Sequence, residues 1–389
     1  MPPQEKKRLH VLQVSGVMNH GGAEVMLIDI LRHLPDDVRF DFLIQTSGAG
    51  GKPPVGAFDE EIRQRGCRIF YICPQWNGLG LGYIRQFKKL LREEIGIPDV
   101  VHSHLNRKGG MVALAARLAG VKKIIVHTHG SKLYSFWDLR PRAVEAKILR
   151  FLVNHCATDF WACSEPEAKI LFSPSICEGH RYEVINNAMN MERFMGIDPA
   201  RVDALRQEFG ISGRELVLGY AATFVRGKNY IFVPELLDAL RRRGADTRFL
   251  FMGRLQDKEY YEEFRREVSR LDLEKSVTYL GDRDDVPECL ALLNVFIGPS
   301  LKEGFGMVIT ESQGAGIPCV VSPGYSHAVD LGLDLVCFME DYDPEKWADA
   351  ILRMRDKRCT DKEKIRQAVI RSGFDSAENT RRIVELYRS

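Results

Sequence analysis

A chain of 389 residues, 45% apolar and 28% charged, has the composition of a soluble globular protein and the length of two ordinary domains. Its net charge of +2 provides no field that would gather nucleic acid, so no nucleic-acid partner is expected. No run approaches about 18 uninterrupted apolar residues, which argues against a membrane-spanning helix; the nine cysteines are scattered without a C-x-x-C pair, which fits buried reduced thiols in a cytosolic protein rather than a disulfide framework.

The start, "MPPQEKKRLHVLQVSG", lacks the apolar core and small-residue cleavage site of a signal peptide, and "LHVLQVSG" predicts a first strand. "GGAEVMLIDILRHL" follows with apolar positions at helical spacing. Gly21 and Gly22 would let backbone approach a phosphate closely, although glycine pairs often serve only as turns. The G-x-G-x-x-G fingerprint of dinucleotide binding is not present. Further strands are predicted at "RFDFLIQ", "RIFYIC", "DVVHSHL", "KIIVHTHG", "DFWACSE" and "YEVINN", with helical patterns between several of them. Continuous apolar strands separated by helices indicate a parallel sheet covered on both faces.

Two of these strands end in histidines. In "HTH", His127 and His129 fall on one face if the strand persists. A metal would need a third ligand, and none is evident beside them. In "HSH", His104 is the candidate to face a cleft, and His102 reads as structural. The segments "YIRQFKKLLREE" and "SKLYSFWDLRPRAVEAKILRFL" are basic or mix basic with aromatic residues. Ordinary amphipathic surface helices explain both; peripheral contact with an anionic membrane is the functional reading.

Near residues 187–194 the pattern pauses and then restarts with strands at "ELVLGYAATF", "TRFLFMGR", "SVTYLG", "VFIGPS" and "PCVVS". Two doubly wound α/β domains are therefore predicted, at 1–193 and 194–373. A last helix over 374–389 is expected to pack back onto the first domain. Ligands in open α/β sheets bind beyond the carboxyl ends of the strands, so two domains facing across a cleft would place the site there.

In the second half, "DRDD" and "DYDP" contain the Asp-x-Asp spacing of metal-dependent sugar transferases. Asp285 and Asp343 each stand just before a helix that opens with proline nearby, and both read as caps. The stretch "KEGFGMVITESQGAGIPCVVS" is more informative. Glu303 lies in a turn after a strand, Glu311 about one helical turn into the following helix, and the free N–H groups at that helix start form an anion site. Two carboxylates that accept hydroxyl hydrogen bonds on either side of a diphosphate describe a nucleotide sugar. An arbitrary pair of glutamates would more often be solvated surface residues.

The longer segment "LLNVFIGPSLKEGFGMVITESQGAGIPCVVS" resembles the carboxyl-terminal signature of the family 4 retaining glycosyltransferases of the GT-B fold. "VMNHGGAEVML", "VVHTHG", "FWACSEPEAKILF" and "VINNAMNMERF" extend the resemblance over most of the chain, closest in flavour to exopolysaccharide and capsule-biosynthesis members. It implies an α/β GT-B architecture of two Rossmann-like domains and a hexosyltransferase. A nucleotide-sugar donor, UDP being the expected nucleotide, would react with a glycan or lipid-linked saccharide acceptor, with no metal and no other cofactor. The location implied is cytoplasmic, peripheral on the inner face of the plasma membrane. By the same resemblance Glu303 meets the donor sugar near the leaving phosphate, and Glu311 holds the ribose hydroxyls. The backbone of Gly304, Phe305 and Gly306 meets the sugar and diphosphate, and Gly21 and Gly22 form the first glycine-rich loop. His129 is the active-site histidine, Lys228 binds the diphosphate, and Arg283 lies near the nucleobase.

One departure stands out. In "ATFVRGKNY", Ala222 and Thr223 occupy the positions of the usual Gly-Arg that precedes the lysine. Arg226 is the candidate replacement, with a solvated loop arginine as the alternative. The rival functions are a nucleotide-sugar epimerase or hydrolase of the same fold, and a catalytically weak nucleotide-sugar-binding protein that has lost the arginine.

Overall fold

The computed structural model describes residues 8–19, 21–46, 54–73, 81–130, 141–303 and 305–389. They form two compact units, Met1–Ala188 with Ser376–Ser389, and Met189–Asp375.

The first unit is built on a seven-stranded parallel sheet of order β3-β2-β1-β4-β5-β6-β7. Its strands are β1 Leu9–Ser15, β2 Val38–Gln45, β3 Ile69–Ile72, β4 Val100–Ser103, β5 Lys123–Thr128, β6 Asp159–Ala162 and β7 Glu183–Val184. Strand residues alternate between the two faces. One face buries Leu12, Val14, Leu43, Val101, Ile124 and Val126 against helices that include Gly109–Leu118. The other buries Val11, Phe40, Val100, Ile125 and Trp161 together with Ile383, Val384 and Tyr387 of the last helix, Ser376–Arg388. That helix packs on the helix Gly22–Arg32 of the same unit.

The second unit carries a six-stranded parallel sheet of order β10-β9-β8-β11-β12-β13. The strands are β8 Leu216–Ala221, β9 Thr247–Met252, β10 Val277–Tyr279, β11 Val295–Gly298, β12 Cys319–Val321 and β13 Val336–Phe338. The sequence reading does not contain β13. Met189, Met191 and Phe194 belong to this unit's core, and a Cβ on Gly314 would lie 2.2 Å from the Met189 methyl, so the chain from Met189 onward is packed here rather than from residue 194.

In both sheets the chain reverses its direction of winding between two central strands, β1 and β4 in one unit, β8 and β11 in the other. Such switch points leave a crevice at the carboxyl ends of the strands, where no helix crosses over.

Candidate active site

In the second unit, Lys228 follows β8 and Glu303 follows β11, so both stand at the switch point. A single 3-10 turn, Arg226–Lys228, closed by Asn229 in the left-handed region at φ 54°, projects its two cations differently. The Lys228 Nζ donates to Glu303 Oε1 at 2.5 Å. The two loops are also tied by backbone, Leu301 N–H to the Gly227 carbonyl at 2.9 Å. The Ser300 hydroxyl donates to the same Glu303 oxygen at 2.6 Å, and Tyr220 completes the chain by donating to Ser300 at 2.6 Å. Ser300 and Tyr220 are buried, whereas the Lys228 side chain remains 24% exposed, so the carboxylate is held from below and the ammonium reaches outward.

The helix that follows, Met307–Gly314, starts at Gly306, whose φ of 90° is a conformation that L side chains avoid. A Cβ there would also lie 2.5 Å from the Tyr325 ring. The turn at Gly306 thereby sets the N-terminus of this helix, the end whose dipole suits an anion. Phe305 turns its ring onto Phe374, 5.2 Å between centroids. Glu311 is half-buried on this helix. Gly304 lies outside the described residues.

In the first unit, Gly21 is the N-cap of the helix Gly22–Arg32 in extended conformation. A Cβ on Gly21 would lie 2.2 Å from Glu24 Oε2, so the Glu24 carboxylate occupies the space beside this loop, its pKa raised by burial. His102 and His104 come from the end of β4, and His127 and His129 from the end of β5. Pairing of these two strands in register sets all four rings together: His104 Nδ1 lies 3.0 Å from His129 Nε2, and His102 and His127 stack at 5.4 Å. Burial pushes the His129 pKa down to about 4 and those of the other three well below the ordinary range, so all four are neutral near pH 7. Asn106, itself left-handed at φ 52°, accepts the His129 backbone N–H at 2.7 Å and so fixes the turn that presents the ring.

Two expectations need correcting, the absence of a third ligand beside the paired histidines and the cap bond at Asp285. The paired histidines of β5 do have further potential ligands beside them: His102, His104 and His127 offer nitrogens within 4.8 Å of one another. A strand-end histidine pair on the neighbouring strand supplies them, a juxtaposition that spacing along one strand does not reveal. Both His104 nitrogens, however, are engaged in hydrogen bonds, to Gln13 and to His129. Arg226 does not point toward Lys228; it is bonded through both terminal nitrogens to Glu263 of the helix Lys258–Arg270 (2.9 and 2.6 Å) and lies over the Tyr260 ring. The Arg283 guanidinium is bonded at 2.6 Å to each oxygen of Asp285 and rests on Phe209. Asp343 caps its helix through Glu345 N–H, but Asp285, at a cap position, makes no cap bond because Arg283 and Arg201 occupy its carboxylate. Thr223 is half-buried after β8.

The sequence reading also passed over Gln13, Asn106, Glu24, Asn187 and Tyr387. Only the alternation of β1, which sets polar Gln13 between apolar neighbours, offered any signal.

Two parallel, doubly wound units in tandem are the architecture of the GT-B fold. The solved Anabaena Alr3699/HepE in complex with UDP superposes with a TM-score of 0.75 at 20% identity, covering 97% of this chain and 99% of that one. A glycosyltransferase from Rickettsia africae gives 0.76 at 17% identity over 98% of each chain. The model for Glycosyltransferase Family 4 matches residues 20–193, and that for glycosyl transferases group 1 matches residues 202–372. The chain is 31% identical over 389 residues to EpsF of Bacillus subtilis (strain 168), named as a glycosyltransferase, covering 100% of this chain and 97% of that one. It is 25% identical, over 77% of each chain, to the Escherichia coli UDP-Gal:alpha-D-GlcNAc-diphosphoundecaprenol alpha-1,3-galactosyltransferase. The protein belongs to family 4 of the retaining glycosyltransferases and transfers a sugar from a nucleotide-sugar donor.

Proposed function

We propose that the protein moves a hexose-type sugar from a UDP donor to a lipid-linked saccharide in surface polysaccharide synthesis, without a metal. The observation that carries this reading is the Lys228–Glu303 pair at the loop that leads into the helix start at Gly306. An ammonium and a set of backbone N–H groups suit a diphosphate, and a carboxylate held from below suits a sugar hydroxyl. Glu311 takes the ribose hydroxyls, Phe305 and Gly306 contribute backbone to the sugar and diphosphate, and His129 meets the donor sugar. The bond from the anomeric carbon to the phosphate oxygen breaks as the acceptor oxygen bonds to that carbon on the same face. The acceptor proton leaves with the departing phosphate oxygen, so the products are a glycoside and UDP.

UDP as nucleotide and a lipid-linked acceptor are supported by the UDP in the HepE complex and by the diphosphoundecaprenol substrate named for the E. coli relative. No helix among the described residues is long and apolar enough to cross a membrane. The helix Pro141–Cys156 instead exposes Val144, Ile148 and Phe151 at i, i+4, i+7 spacing, with Arg142 exposed on the same helix, which suits peripheral contact with an anionic cytoplasmic leaflet.

Transfer from a panel of UDP-sugars to a polyprenyl-diphosphate-linked sugar in anionic vesicles tests these points together. UDP release is expected to require the acceptor, to persist in EDTA, and to slow on zwitterionic vesicles. Release of free sugar or an epimer without acceptor would point to the hydrolase or epimerase reading. Loss of turnover in EDTA, restored by magnesium or manganese, would refute the metal-free mechanism.

A further inference from the structure

The cation that the family resemblance implies at Thr223 finds no substitute in Arg226 of the same loop, which is bonded to Glu263. Arg283, on the loop after β10, is bonded to Asp285 in the same two-pronged way. The strand between those two loops offers another. β8 and β9 run parallel with Ala221 beside Met252, and their pairing continues past the strand ends. Ala222 N–H donates to the Met252 carbonyl at 3.0 Å and Phe224 N–H to the Arg254 carbonyl at 2.8 Å, with Phe224 bridged to Leu255. On that register Arg254 stands directly across from Thr223.

Backbone fixes where this arginine starts. Gly253 N–H donates to the Gly281 carbonyl at 2.8 Å, and the Gly253 carbonyl accepts from the Tyr279 hydroxyl at 2.8 Å. Gly253 takes φ 123°, and a Cβ there would lie 2.4 Å from the Ala222 carbonyl oxygen, so only glycine lets the two loops pass so closely. Neighbouring strands lie about 4.8 Å apart, which is less than the length of an arginine side chain. The side chain is also uncommitted. It is 65% exposed, and its ion pair with Asp282 is 4.0 Å long and joins two exposed groups. Such a pair contributes little and is readily exchanged. A guanidinium with its fork of N–H donors free is well matched to phosphate oxygens.

We infer that Arg254 supplies the second diphosphate cation of this site, in place of the arginine missing at Thr223, by turning from Asp282 toward the end of β8. The cation has moved by one strand across the sheet rather than along its own loop. The inference rests on the reading that a nucleoside diphosphate binds beside Lys228.

Calorimetric titration of full-length variants with UDP, in buffer containing EDTA, tests it. Because the side chain is exposed, Arg254→Ala is expected to fold with an unchanged melting temperature. It should weaken UDP binding about 10- to 100-fold, the worth of a charge-assisted hydrogen bond, and Arg254→Lys should lose less. Adding Thr223→Arg to Arg254→Ala returns a guanidinium to the neighbouring strand and is expected to recover most of the loss. A folded Arg254→Ala protein that binds UDP within about threefold of the wild type overturns the inference and leaves the functional reading standing. A double variant no tighter than Arg254→Ala overturns it too, because Arg254 would then act otherwise than as the missing cation. A wild type that binds GDP or ADP in place of UDP overturns the nucleotide assignment alone, and the same variants are then compared with that nucleotide. A folded wild type that binds no nucleoside diphosphate refutes both the functional reading and the inference.

Discussion

Lys228→Ala is expected to lower kcat by about 10- to 100-fold on any competent donor and acceptor. A charge-assisted hydrogen bond is worth roughly 1.5–3 kcal/mol, which is one to two decades in rate when it acts on charge developing in the transition state. Thr223 stands where the family resemblance implies an arginine, and Arg226 is bonded to Glu263, so on the proposed reading the diphosphate would be met by Lys228 and the backbone dipoles, with Arg254 beside them. Loss of Lys228 has a second effect. Glu303, only 11% exposed, would lose its ammonium partner and face the diphosphate with an uncompensated charge. Adding Glu303→Gln to Lys228→Ala should therefore cost less than the two single effects combined, a coupling that a double-mutant cycle measures. A Lys228→Ala enzyme within threefold of the wild type would show that the diphosphate is neutralised elsewhere.

Gly306→Ala is expected to damage both stability and donor binding. A left-handed conformation costs an L residue about 1–2 kcal/mol, and a methyl group pressed into a packed ring costs a further 1–3 kcal/mol. The methyl would lie 2.5 Å from Tyr325 Cε1, on a ring that is 4% exposed and has little room to yield. In a unit of this size the melting temperature should fall on the order of 10 °C. The helix start should shift with it and weaken UDP binding. An alanine variant with the melting temperature and UDP affinity of the wild type would mean that the turn is free to relax, and that its geometry does not form the anion site.

Much of this architecture is legible in the sequence because parallel strands covered on both faces are written as continuous apolar runs. "VFIGPS" and "KIIVHTHG" are examples, and each ends where a site residue stands. β13 escaped because Val336–Phe338 is three residues long, half-buried and at the sheet edge, so it has neither a long apolar run nor a clear alternation. Local motif marks Glu303 and Lys228 as candidate site residues, and the structure pairs them. No local motif marks the hydrogen-bond partners of Arg226 and Gln13, since Glu263 lies 37 residues from Arg226 and Tyr387 lies 374 from Gln13. Asp285 shows the limit of a local rule: the cap position is where the sequence puts it, yet two arginines outcompete the helix for its carboxylate. Polar side chains that work through tertiary neighbours leave almost no trace in a one-dimensional pattern.

The most direct test of a nucleotide site at the second unit's switch point is calorimetric titration with UDP, which needs neither the donor sugar nor the acceptor to be known. The wild type is expected to bind UDP in buffer containing EDTA. Glu311→Ala should weaken binding by at least about tenfold, because a charged acceptor of ribose hydroxyls is lost from ground state and transition state alike. Arg226→Ala, which removes an exposed pair with Glu263, should leave the affinity unchanged. Absence of UDP binding by the folded wild type, or a Glu311→Ala protein that binds UDP as tightly as the wild type, would contradict the assignment of this site.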